Sequence, residues 1–155
     1  MAGPLRFTVI AALAGAALLA AASCKNVDDP PTPASVAGTW LYHETLADDV
    51  FGVTCVDTGT YTFTQTGGKV GGMFVQTGKC TSGGSKTFND GHGLITNGTV
   101  TDVRIQFTAA DLCTYTGLLT AARDAVPAGT GVCDFVDSAS SRHYSLAITW
   151  DMARQ

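Results

Sequence analysis

Charge is scarce in this chain: Asp, Glu, Lys and Arg together make up 14% of it, against roughly a quarter in an average soluble domain. The formal net charge of −4 is spread out and no cluster of lysines and arginines forms. That removes the electrostatic footprint needed to hold a phosphate backbone, so nucleic acid is not an expected partner. Leu-rich helical stretches are missing after residue 23, and no later stretch stays apolar for the roughly 18 residues that a spanning helix needs. Cys-x-x-Cys knuckles of zinc sites and the ligand series of a calcium loop are also missing. His43, His92 and His143 stand far apart without a paired-ligand spacing and read as scattered surface residues. Asp48, Asp49 and Asp90 read as turn residues, and Asn89-Asp90-Gly91-His92-Gly93 as a loop, because no helix follows to make it a phosphate cradle. Residues 138–141, beside Arg142 and His143, carry no nucleophile-elbow pattern and read as a polar turn. Asn97-Gly98-Thr99 reads as a turn too. No enzyme, metal or cofactor is expected.

What is abundant is glycine, with 18 residues, and threonine, a balance that favours strands over helices. At the N-terminus, Arg6 and the free amine precede an apolar run over residues 7–19. Small residues follow in Ala20-Ala21-Ala22-Ser23-Cys24. This is the layout of a secretory signal. Beyond it, Pro30, Pro31 and Pro33 lack backbone donors and have fixed φ, so residues 24–36 are expected to form an extended tether. The remainder, 37–155, is the size of one domain with one core.

The leader resembles the bacterial lipoprotein signal, in which a small-residue segment ends at a cysteine that is acylated and becomes the mature N-terminus. Ala21 stands where that family usually has Leu, and ordinary cleavage after Ala20 to Ala22 is the alternative. The resemblance implies a signal peptide over 1–23 and a lipid on Cys24, carried as a diacylglycerol plus an amide-linked chain. More than one chain gives stable anchoring, so the membrane is an expected partner. Lys25 in place of the Asp that favours inner-membrane retention implies the outer membrane, with the domain facing the periplasm or the cell surface. Five cysteines in an exported protein leave one unpaired, and acylation of Cys24 would account for it.

From Val36 onward, short alternating runs are separated by Gly, Asn or Asp. Strands are expected at about 38–46, 55–66, 69–80, 86–96, 99–108, 112–120, 130–137 and 142–153. Gly67-Gly68 makes a two-residue hairpin loop. Counted outward from it, Tyr61 falls opposite Phe74, Phe63 opposite Gly72, Gln65 opposite Val70, and Cys55 opposite Cys80. Alternation from the hydrogen-bonded pair Thr66 and Lys69 puts the two cysteines at a non-hydrogen-bonded position, where Cα atoms approach to about 4.5 Å. A Cys55–Cys80 bridge is expected, and by elimination Cys113–Cys133; free thiols or a metal cluster are the alternative. Each bridge would contribute on the order of 3 kcal/mol in the chain-entropy model.

Period two collects Tyr61, Phe63, Phe74, Val103, Ile105, Phe107, Tyr115, Leu119, Phe135, Tyr144, Leu146, Ile148, Trp150 and Met152 on one side. A sheet with one apolar face and no helix to cover it hides that face by closing on itself. The fold class is therefore all-β, with a single up-and-down eight-stranded antiparallel barrel as first choice and a two-sheet sandwich as second.

Gly38-Thr39-Trp40 opens the first strand and Arg154 follows the last. This resembles the lipocalin and avidin-like (calycin) barrels, whose first strand carries Gly-x-Trp. The resemblance implies that Trp40 closes one end of the barrel and Arg154 stacks on it. Two roles follow from such a barrel. In one, a filled core leaves a non-enzymatic structural or interaction role with an envelope protein; the number of inward apolar residues favours it. In the other, the interior carries a small hydrophobic ligand, with Tyr61, Phe63, Phe74, Phe107, Tyr115 and Trp150 as lining.

Overall fold

The Gly67-Gly68 hairpin sets the register of the sheet. In the computed structural model, which describes residues 32–137 and 141–155, β2 (Val53–Thr66) and β3 (Lys69–Ser82) pair through Tyr61–Phe74, Phe63–Gly72, Gln65–Val70 and Cys55–Cys80. Gly67 has φ 58°, the positive value that the first central position of a primed turn requires and that glycine adopts without strain. The signal peptide, Cys24 and all but the last residues of the tether lie outside the described residues.

Among the described residues there is no helix, and nine strands form one antiparallel sheet. The others are β1 (Gly38–Asp48), β4 (Ser85–Phe88), β5 (Gly91–Thr101), β6 (Arg104–Ala109), β7 (Cys113–Leu118), β8 (Ala125–Asp137) and β9 (Arg142–Arg154). Strands neighbouring in sequence pair with one another, except β4 and β5, which both pair with β3, and β9 returns to β1 through Trp40–Arg154 to Ala47–Ala147. The sheet thereby closes into an eight-stranded barrel, not a sandwich, with β4 as an additional strand on β3.

Three departures from the expected strands have local causes. The strand expected at 86–96 is broken at Asn89-Asp90 into β4 and β5, although both keep one register against β3, with Lys79 opposite Phe88 and Gln76 opposite Gly91. The chain does not turn at Asn97-Gly98. Asn97, at φ 51°, forms a bulge in β5 instead, and the turn comes at Asp102-Val103. Asn tolerates left-handed backbone in either setting, which is why the residue type alone misleads. Last, β8 starts at Ala125, before the expected 130, because the donor-less Pro127 is absorbed in a register shift between Val126 and Gly129.

The tether also ends earlier than position 36. Ala34 and Val36 are fully buried, and the Gln65 side chain binds both, donating to the Ala34 carbonyl at 2.9 Å and accepting from the Val36 amide at 2.7 Å. This segment runs under one pole of the barrel. Trp40, also fully buried, donates through Nε1 to the Val36 carbonyl at 2.8 Å. Arg154 lies 4.6 Å from the centre of the Trp40 ring and donates to the carbonyls of Ala37 and Ser35, both at 2.7 Å.

Above this seal the barrel is filled by aromatic rings. Tyr61, Phe63, Phe107, Tyr115 and Trp150 pack with one another at centroid distances between 4.9 and 6.5 Å. Trp150 lies against Gly129, where any Cβ would overlap its indole, and beside Gly117, where a Cβ would run into Val126. The alternating positions on these strands are mostly exposed threonines and charged residues. The wet outer face and the oily inner one follow from period two.

Candidate functional site

Towards the opposite pole the filling stops. A cavity of about 390 Å³ opens there, at the small end of the roughly 300–1,000 Å³ that small-molecule sites occupy. Its walls are largely apolar, including Leu46, Val53, Phe74, Phe135 and Leu146, and its floor is formed by Tyr42, Tyr61 and Tyr115. Tyr42 and Tyr61 stack at 4.0 Å.

Both disulfides stand in this wall. Cys55–Cys80 joins β2 to β3 with Cα atoms 3.9 Å apart, and Cys113–Cys133 joins β7 to β8 at 4.0 Å. The rim strands are thus fastened covalently on two sides, while the sealed pole relies on packing and hydrogen bonds.

Two acids line the same space. Glu44 on β1 and Asp57 on β2 are 4% and 0% exposed. Asn89, held where β4 breaks from β5, donates from Nδ2 to Asp57 Oδ2 at 2.6 Å. Beside it, Asp90 accepts from the Gly78 amide at 3.2 Å, and Gln76 donates to the Asn89 carbonyl at 3.2 Å. The strand interruption therefore has a product: it turns two polar side chains onto the barrel mouth. Among the described residues, Glu44 Oε2, Asp57 Oδ1 and the Tyr61 hydroxyl have no hydrogen-bond partner, a costly state for buried polar atoms.

Burial disfavours the charged forms. It pushes the Glu44 carboxyl up to about 7, with nearby Asp57 adding to the rise and the Tyr115 hydroxyl opposing it. Asp57 is pushed up to about 6, again chiefly by burial, opposed by the Asn89 hydrogen bond and assisted by Asp90. The phenols of Tyr42, Tyr61 and Tyr115 are all pushed up, mainly by burial, so they remain neutral hydroxyls. The site can accept hydrogen bonds, attract positive charge when its acids are ionised, and donate when they are not.

Of the six aromatic residues expected to line an interior, Tyr61, Phe74 and Tyr115 do so, whereas Phe63, Phe107 and Trp150 are packed among the rings beneath and do not reach the cavity. Gly38, Trp40 and Arg154 lie at the other pole. His92 stands at the rim, while His43 is exposed and faces Asp151 at 3.3 Å. Among the described residues no three His, Cys, Asp or Glu side chains converge to hold a metal ion. Sequence reasoning missed Glu44, Asp57, Tyr42 and Gln76. Parity would have found the acids: Asp57 shares its face with Cys55, Tyr61 and Phe63, and Glu44 shares its face with Trp40.

Fold and site together define a small closed antiparallel β-barrel with one sealed pole and, among the described residues, one open one, compatible with a lipocalin-like layout. No protein family, curated protein or solved structure matches the chain.

Proposed function

We propose that this chain is a lipid-anchored lipoprotein of the cell envelope whose barrel holds a small, largely apolar ligand in its open-ended cavity, as lipocalins do. The observation that carries the binding role is the cavity itself. An interior filled at one pole ends abruptly in apolar space at the other, walled by two disulfides and accessible through the mouth. A barrel with a purely structural role gains nothing from stopping its core short, because empty apolar space forfeits packing energy. The leader residues and the odd cysteine support the anchor on Cys24, and Lys25 supports an outer-membrane address.

Titration of the purified protein with the neutral dye N-phenyl-1-naphthylamine tests the binding role. Saturable one-to-one binding, weakened by Ala109→Phe, which fills the cavity wall, is the expected result. No saturable binding of the dye, with no saturable heat from 2-phenylethylamine either, overturns it. Mass spectrometry of protein extracted from membranes tests the anchor, and an unmodified Cys24 overturns that part.

A second reading keeps the outer surface as the working face. Met73 and Leu94, paired across β3 and β5, and Val75 and Val56 are all more than half exposed, which favours contact with another envelope protein. Retention of function by the cavity-filled variant would support it.

A further inference from the structure

We infer that the ligand is a small organic cation, a primary amine carried on a compact apolar or aromatic body, bound by Glu44 and Asp57. This rests on the cavity reading above and specifies its chemistry. Glu44 and Asp57 are at least nine-tenths buried and line the cavity, and Glu44 Oε2 and Asp57 Oδ1 have no partner among the described residues. An acceptor in that position calls for a donor, and an ammonium group brings three together with the complementary charge.

The surroundings narrow the choice. An anion such as a fatty-acid carboxylate would meet Glu44, Asp57 and Asp90 at the mouth and be repelled. A bare metal ion lacks a converging ligand set among the described residues. The cavity volume suits a compact molecule better than a long chain. Tyr42, Tyr61, Tyr115 and Phe74 line the cavity and give an aromatic body and a nearby cation aromatic surroundings.

The ionisable groups facing the bound charge are Glu44 on β1, Asp57 and Tyr61 on β2, Tyr42 on β1, Asp90 and His92 at the mouth, and Tyr115 on β7. The β8 and β9 walls contribute Cys133, Phe135 and Leu146, which carry no charge. With Glu44 and Asp57 raised to about 7 and about 6, acidification neutralises the pair and should release the amine.

Displacement of N-phenyl-1-naphthylamine by three compounds of one shape tests the inference: 2-phenylethylamine, 2-phenylethanol and phenylacetate. At about pH 8 the amine should compete at concentrations about tenfold or more below the alcohol, with the anion weakest. Lowering the pH to about 5 should erase that advantage. The double variant Glu44→Gln, Asp57→Asn should also erase it while still binding the dye, and Glu44→Gln alone should reduce it. If the alcohol equals the amine, the anion competes best, or the double variant keeps the preference, the inference is overturned and the cavity reading stands. Should the dye fail to enter, calorimetry with the amine decides. Saturable heat that is lost in the double variant upholds the inference, and no heat overturns it along with the cavity reading.

Discussion

Asp57 and Gly78 face each other across the β2–β3 ladder, and the Asp57 carboxylate occupies the space into which a Cβ of residue 78 would project. The bare backbone at 78 lets a buried acid lie flat against the barrel wall, within reach of Asn89. The same glycine offers its amide to Asp90. Gly78→Ala would place a methyl against both that carboxylate and the Val56 carbonyl oxygen at 2.6 Å. Since the carbonyl belongs to the ladder and cannot swing away, we expect a loss of about 1–3 kcal/mol, read as a lower urea midpoint, with amine binding lost before dye binding.

The two buried acids also make stability depend on pH, with a definite sign. Their folded values of about 7 for Glu44 and about 6 for Asp57 lie above the ordinary carboxylate range, so the folded state holds protons more tightly than the unfolded chain. Stability from these groups is then greatest below about pH 4 and falls as pH rises to about 7, by about 1–3 kcal/mol per group. Urea midpoints of the ligand-free protein should be higher at about pH 5 than at about pH 8. Glu44→Gln should flatten the difference, and an unchanged slope would contradict the burial of Glu44.

Removing either bridge should act on the mouth. Replacement of Cys55 and Cys80 by alanine frees the β2–β3 rim where it walls the cavity, and a cost of about 2–5 kcal/mol is expected in the urea midpoint. Dye affinity should fall as well. The bridges themselves can be checked by non-reducing peptide mapping, which should give Cys55–Cys80 and Cys113–Cys133 with no cross-linked peptides between the pairs.

At the sealed pole the sensitive residue is Arg154. Its planar group covers Trp40 while two of its nitrogens reach the carbonyls of Ala37 and Ser35, a combination that lysine cannot reproduce. Arg154→Lys is expected to cost about 1–2 kcal/mol. Hydrogen exchange at the Val36 amide should speed up, with dye binding at the far pole little changed.

The part of the molecule most legible from residues was the β2–β3 hairpin. A two-residue loop at Gly67-Gly68 implies one register for two fourteen-residue strands, and that register brings Cys55 to Cys80. Alternation likewise sorted the inner from the outer face, because a one-residue slip would expose every aromatic. What could not be read was where regularity is interrupted. Asn97 bulges where a turn was expected, and Asn89 breaks a strand while keeping its register. The same residue type serves either end, and tertiary pairing decides between them. The division of the interior into plug and cavity was hidden for a related reason. Period two says which side chains point inward but not how high along the barrel axis each one sits. Phe107 and Phe74 look alike in sequence yet belong to different storeys.

Closure between β1 and β9 leaves Gln155 beside Thr39, its amide donating to that residue's carbonyl at 3.0 Å. The domain's two ends are therefore neighbours, and a short linker from Gln155 back to Ala34 would turn the fold into a loop with no natural starting point. Opening that loop at Gly83-Gly84, a solvent-facing turn, would yield a rearranged chain order with the same ladder throughout. Such a permuted protein should still assemble, since its architecture is a ring of neighbours and not a line with a first member.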